Sequence, residues 1–237
     1  MLIKTEGIVL RTIKYSETSV ISKVFTREQG ECSFIVYGIR GSRNKSRGSL
    51  FQPLQVLELD VYYRPNKSLF KLKDYRPGHI YSHLYADMLR QSVAIFALEV
   101  LSKCIHEQEV NTQLYDYFRE FLMSIDTTAQ VDPLSPQRYL QDLSKILGFS
   151  PSIDTNYQER PYFNLEAGIF ERELNALDLS LNKKDTFLLH EFLREETTSF
   201  SKAERLKILD ILLTYFKIHI PNFNTLTSLD ILRTILN

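Results

Sequence analysis

Leu54-Gln55-Val56-Leu57-Glu58-Leu59-Asp60-Val61-Tyr62-Tyr63 is followed by Arg64-Pro65-Asn66-Lys67-Ser68 and then by Leu69-Phe70-Lys71-Leu72-Lys73-Asp74-Tyr75. In the first run Leu57, Leu59 and Val61 alternate with Glu58 and Asp60, the period of two that puts apolar side chains on one face of a strand. Pro65-Asn66-Lys67 supplies a tight connection, so the two runs are expected to pair as an antiparallel hairpin. Upstream, three further runs are rich in Ile, Val, Leu, Tyr or Phe: Glu6 to Tyr15, Ser19 to Thr26 and Cys32 to Gly38. Glu28-Gln29-Gly30 makes the tight link between the second and third. Five short strands in about 75 residues point to a small closed barrel, because closure removes exposed sheet edges.

Past Pro77-Gly78 the period becomes helical. Leu84, Met88, Gln91, Ile95, Leu98 and Leu101 predict a long helix from about Ser82 to Ile105, apolar nearly all round and therefore buried. Asn111 is placed to cap the next helix, through Leu114, Tyr117, Phe118, Phe121 and Leu122. Ser135-Pro136 opens a third that stops at Gly148. Ser150 to Arg172 has two prolines and no helical face, and reads as a loop or small hairpin insert. Helix resumes at Lys183 to Arg194, at Ser201 to Ile218 behind a Ser201/Glu204 capping box, and at Thr225 to Leu236. The expected fold class is α+β: residues 1–80 form a five-stranded barrel and residues 81–237 an all-α domain, with a cysteine-free insert at about 150–172.

Composition narrows the class of protein. The 237 residues are 43% hydrophobic and 24% charged with 8 Gly and 8 Pro, which excludes disorder as the main state. Two cysteines, Cys32 and Cys104, make neither a disulfide framework nor a four-thiolate zinc site. The apolar run Val93 to Leu98 is far short of a membrane span, and Lys4, Glu6 and Arg11 interrupt any secretory segment, so a cytoplasmic protein is expected. The formal charge is zero, yet residues 1–80 hold fourteen Lys and Arg against seven Asp and Glu, +7, leaving −7 for the rest. Opposite signs on two parts of one chain suggest an end that faces nucleic acid and an end otherwise employed.

The informative segment is Gly38-Ile39-Arg40-Gly41-Ser42-Arg43-Asn44-Lys45-Ser46-Arg47-Gly48-Ser49, with four cations, no acid, three glycines and three serines. Phosphates call for this chemistry: long cations release counterions, and small residues admit backbone N–H groups to oxygen atoms. The spacing matches no Walker-type loop. The competing reading is a solvated loop that binds nothing, but five-stranded barrels carry single strands in basic grooves where bases stack on aromatics. Tyr15, Phe34, Tyr37, Phe51, Tyr62, Tyr63, Phe70 and Tyr75 are the candidate rings, of which about half must face inward. His79, His83 and Asp87 fall at i, i+4 and i+8, but the Glu of a zincin is missing, so a capping turn is the plainer reading and no metal site is assigned. No nucleophile motif is present, and a non-enzymatic role is expected.

Glu6-Gly7-Ile8-Val9-Leu10-Arg11, Tyr15-Ser16-Glu17, Phe25-Thr26-Arg27-Glu28-Gln29-Gly30, Gly38-Ile39-Arg40 with its basic run, and Leu50-Phe51-Gln52-Pro53-Leu54 together resemble the N-terminal domain of the bacterial recombination mediator family RecO. Leu147-Gly148-Phe149-Ser150-Pro151 and Tyr215-Phe216-Lys217-Ile218-His219 extend the resemblance to nearly full length. It implies an OB-fold followed by a helical domain, and a protein that binds single- and double-stranded DNA and anneals complementary strands. It further implies RecR and the C-terminal tail of the single-strand-binding protein as partners in loading recombinase onto gaps, and a place in the cytoplasm with the nucleoid. Many members carry a four-cysteine zinc module after the Leu-Gly-Phe corner; here the stretch from Asp154 through Gly168 has no cysteine, so the family zinc is expected to be absent, with Tyr157, Tyr162, Phe163 and Phe170 packing instead. Carried over residue by residue, phosphate contact falls first to Arg40, Arg43, Lys45 and Arg47, then to Arg11, Lys14, Lys23 and Arg27. An RNA-binding OB-fold adaptor and a helical protein-interaction scaffold are the alternatives.

Overall fold

The computed structural model describes residues 1–39, 48–64, 67–153, 157–174, 179–195 and 199–236. The chain forms two compact units, Met1–Ala129 and Gln130–Asn237. In the first, strands β1 (Leu2–Lys14), β2 (Val20–Thr26), β3 (Gly30–Val36), β4 (Val56–Tyr62) and β5 (Leu69–Pro77) close into a barrel of order β1-β2-β3-β5-β4. All neighbours are antiparallel except β3 and β5, whose parallel pairing, Phe34 opposite Phe70, completes the closure. This is the OB-fold barrel the sequence predicts. Val9, Val24, Cys32, Phe34, Leu57, Leu59 and Phe70 fill the interior at 2% exposure or less. Gly30 at φ +67° makes the turn between β2 and β3; a Cβ there would lie 2.2 Å from the Glu109 carbonyl oxygen.

Two helices complete this unit, α1 (Met88–Cys104) and α2 (Thr112–Thr127). α1 is buried along most of its surface, as its apolar composition requires. It starts six residues later than the predicted Ser82 because other partners take the backbone donors ahead of it. The Asp126 carboxylate accepts from Ser82, His83 and Leu84 N–H at 2.7–3.0 Å, and Asp87 caps Leu89 and Arg90. Asn111 caps α2 through Leu114 N–H, as expected.

α2 lies against the outer face of the barrel. Tyr115 packs on Phe25 with ring centroids 5.5 Å apart, and its hydroxyl donates to Glu6 at 3.0 Å. Ile8 and Phe25, which point away from the barrel interior, are thereby fully buried. Strand texture ends near residue 80, but the compact unit extends to Ala129 because this outer face needs a cover.

The second unit holds α3 (Ser135–Ile146), a single 3₁₀ turn (Tyr157–Glu159), the hairpin β6 (Tyr162–Asn164) and β7 (Ile169–Glu171), α4 (Lys183–Arg194), α5 (Lys202–His219) and α6 (Leu229–Ile235). The insert is therefore a hairpin. Asn164 Oδ1 turns it by accepting from Glu166 and Ala167 N–H, and the Thr186 hydroxyl of α4 accepts from Phe163 N–H at 3.1 Å. The capping box at Ser201 and Glu204 is present. α6 starts at Leu229, later than the predicted Thr225, with Leu226 buried ahead of it.

Candidate nucleic-acid interface

Cations do useful work for a polyanion only if no carboxylate already holds them, and that criterion divides the expected set. Arg40, Arg43, Lys45 and Arg47 lie outside the described residues. The chain enters that segment at Ile39, whose N–H donates to Thr18 O at 3.1 Å beside the β1–β2 turn. Arg11 and Lys14, on the β1 arm leading to the same turn, are exposed and have no ion-pair partner among the described residues. Lys23 and Arg27 are different. Lys23 Nζ sits 2.6 Å from Glu31 Oε1 and 3.7 Å from Glu107, at the end of α1. Arg27 makes a two-pronged contact to Asp116 of α2, at 2.7 and 2.8 Å. That hydrogen-bonded pair raises the Arg27 pKa and holds the Asp116 carboxyl below its ordinary value. The expectation that Lys23 and Arg27 offer free charge is thus corrected: Glu31 of β3, with Glu107 just past α1, occupies Lys23, and Asp116 of α2 occupies Arg27.

The eight candidate rings separate as alternation demands. Phe34, Phe51 and Phe70 are core at 2% exposure or less, and Tyr63 and Tyr75 pack half-buried against them. Tyr15, Tyr37 and Tyr62 stand exposed at 50–60%. Tyr15 and Tyr37 flank the Arg11/Lys14 end, whereas Tyr62 belongs to a separate feature.

That feature is a cleft of about 340 Å³ at the β4–β5 turn, lined by Tyr62, Arg64, Lys67, Leu69, Phe70 and Lys71. Tyr62 and Lys71 are direct partners in the antiparallel register, so ring and ammonium share the outer face. Among the described residues none of the three cations has an ion-pair partner and no acid lines the cleft. Gln108 braces the turn from outside the barrel by donating through Nε2 to Lys67 O at 2.9 Å. Motif reading missed this site. The signal was there: the chain between Asp60 and Asp74 carries Arg64, Lys67, Lys71 and Lys73 and no carboxylate. Another cleft, of about 370 Å³, has the opposite character, with Glu6, Glu28, Glu58, Asp60 and Asp74 against Lys4 and Arg76. It repels phosphate, and we assign no nucleic-acid role to it.

Metal and nucleophile chemistry find little footing. Asp87 is occupied as the α1 cap, and among the described residues no group of three or more His, Cys, Asp or Glu is placed to hold a metal. Cys32 and Cys104 are both buried in the first unit, where desolvation pushes their thiols up to about 11 and about 12. The hairpin that would carry a four-thiolate zinc has no thiol. Phe163 and Phe170 meet edge to face at 5.0 Å on its inner side, with His190 and Tyr215 around them, so its residues do not fit the metal.

The closed barrel of order β1-β2-β3-β5-β4, followed by helices, defines an α+β protein with an N-terminal OB-fold. Family models agree: residues 1–81 match "Recombination protein O N terminal" and residues 85–228 match "Recombination protein O C terminal". Relatives include the DNA repair protein RecO of Phocaeicola vulgatus, 31% identical over 238 residues, and that of Bacteroides fragilis, 30% identical over 239, each aligned over 98% of both chains. The RecO of Porphyromonas gingivalis is 28% identical over 99% of both. The chain belongs to the RecO family of DNA repair proteins.

Proposed function

We propose that this chain is a non-enzymatic recombination mediator that binds single- and double-stranded DNA and anneals complementary strands. The observation that carries the reading is the uncompensated positive charge on the barrel at Arg11, Lys14, Arg64, Lys67 and Lys71, in a member of a DNA repair family. Two strands brought to one cationic surface lose counterions and mutual repulsion, and complementary bases pair without nucleotide hydrolysis. Arg40, Arg43, Lys45 and Arg47 add phosphate contacts in this scheme. The helical domain is assigned to partners, RecR and the acidic tail of the single-strand-binding protein, in loading recombinase onto coated gaps. The protein acts in the cytoplasm at the nucleoid and needs no metal.

A salt titration of oligonucleotide binding by the full chain tests the reading. Log affinity should fall linearly with log salt, and changing the four loop bases to Ala should flatten the slope by roughly 3. A flat response in the parent protein overturns it, as does preferential capture of RNA over DNA of equal sequence. Stoichiometric zinc in the purified protein overturns the metal-free part.

A further inference from the structure

We infer that the open edge of β1 at Arg11–Lys14 is a docking site for an extended acidic segment of a partner protein, which adds to the sheet as one more strand. The inference stands apart from the DNA-binding reading, and its test needs no nucleic acid.

The strand register leaves this edge open. Pairing of β1 with β4 ends at Ile8 opposite Val56, whereas pairing with β2 runs on to Lys14 opposite Val20. Among the described residues, the backbone of Arg11–Lys14 bonds to β2 alone. Tyr15 N–H is turned to Ser19 O, so alternation turns the N–H and C=O groups of Thr12 and Lys14 to the open side. A row of such groups is a ready template for another strand. The edge is also held in shape. β3 backs β2 along its whole length, and the Thr12 hydroxyl lies 2.9 Å from Ser22 Oγ and donates to Phe51 O at 2.7 Å, so little ordering remains to be done on docking.

The side chains choose the occupant. Arg11 and Lys14 are exposed and have no ion-pair partner among the described residues, and the one acid between Arg11 and Ser22, Glu17, lies in the turn beyond the strand. Ile13 stands between the two cations at 52% exposure. An added antiparallel strand would therefore set an acid against Lys14, an apolar residue against Ile13, a small polar residue against Thr12 and a second acid against Arg11, the pairs that stabilise across strands. A second copy of this edge brings cation against cation, which disfavours self-pairing, and the same charges deter neutral strands. An acidic strand is the occupant they admit. Once seated, it takes Arg11 and Lys14 out of the phosphate-binding set.

The probe is a fluorescein-labelled peptide, Thr-Glu-Val-Thr-Glu-Val-Thr, titrated with the full-length protein and followed by anisotropy. It should bind saturably, and the same peptide with Lys in place of each Glu should not. Arg11→Glu combined with Lys14→Glu should weaken the acidic peptide by about tenfold or more and admit the lysine peptide instead. Both positions are exposed, so an unchanged melting temperature separates lost docking from lost fold. Backbone pairing is read on the peptide itself. N-methylation at its first Glu and central Thr, whose N–H groups would face β1, should abolish binding, and N-methylation at the first Val and second Glu should spare it. Equal loss from the two methylation patterns reduces the contact to charge alone and overturns strand addition. Failure of the acidic peptide to bind, or a charge-reversed protein that keeps its preference for that peptide, overturns the site. Sedimentation of the parent as a dimer that the double variant loses overturns the choice of occupant in favour of a second copy.

Discussion

Two single residues tie the helices to the barrel, and they differ in how visible their roles are in the chain. Gly30 reads as a turn glycine from Glu28-Gln29-Gly30 alone, and its φ of +67° agrees. What the turn cannot say is that the Glu109 backbone closes over it. Gly30→Ala adds left-handed strain and a backbone clash, so a loss of about 2–4 kcal/mol is expected in urea unfolding, well beyond a surface Gly→Ala. Asp126 carries no such mark and looks like an ordinary acid near a helix end. Its carboxylate is 1% exposed and is the sole acceptor found for three backbone donors. Burial pushes its pKa up, but those N–H groups and His79 outweigh burial and hold it below the ordinary value. A depressed folded value means stability that is complete above the unfolded value of about 3.9 and lost as pH falls through the lower folded one. Asp126→Asn should cost about 1.5–3 kcal/mol at pH 7 and flatten the acid limb of a stability–pH profile below about pH 4.

Among the elements, α2 has the largest consequence for function, because it decides which barrel cations remain available. Its amphipathic pattern was legible, but where its polar edge would fall was not, since Asp116 and Arg27 are 89 residues apart in sequence. Asp116→Ala should release Arg27 from its two-pronged partner, leaving only the longer Glu28 contact at 3.5 Å, at little cost in stability because the pair is half exposed. The salt slope of DNA binding should steepen by about 0.7–0.9 per released charge, and an unchanged slope would show that Arg27 faces no DNA. Leu54 makes the same point about the approach to β4. It sits at φ +75°, a conformation no leucine would choose, held by its N–H to Val9 O and by the Tyr81 hydroxyl on its own carbonyl, both at 2.9 Å.

For the whole molecule the division of charge is milder than the run of residues suggests. Residues 81–129 hold three cations and seven acids, so the first compact unit, 1–129, carries +3 and residues 130–237 carry −3. Part of the −7 is thus spent on the barrel's own flank. This alters which fragment is expected to fold. Residues 1–80 alone would leave Ile8 and Phe25 in water and Glu6 without Tyr115 and Arg119. Residues 1–129 should melt cooperatively by circular dichroism, whereas residues 1–80 should aggregate or melt broadly; equal melting of the two would contradict the role given to α2.

The order and type of elements, the closed barrel, the capped helices and the thiol-free hairpin were determined locally, because period, turn chemistry and residue inventory are properties of neighbours in sequence. Tertiary structure alone decided which cations are free. A charge's availability depends on the carboxylate that reaches it: Asp116, which holds Arg27, arrives on α2 far along the chain, and Glu107, beyond α1, joins Glu31 of the neighbouring strand at Lys23. It also decided that Tyr62, alone of the rings at the β4–β5 turn, faces out among bases that nothing else claims.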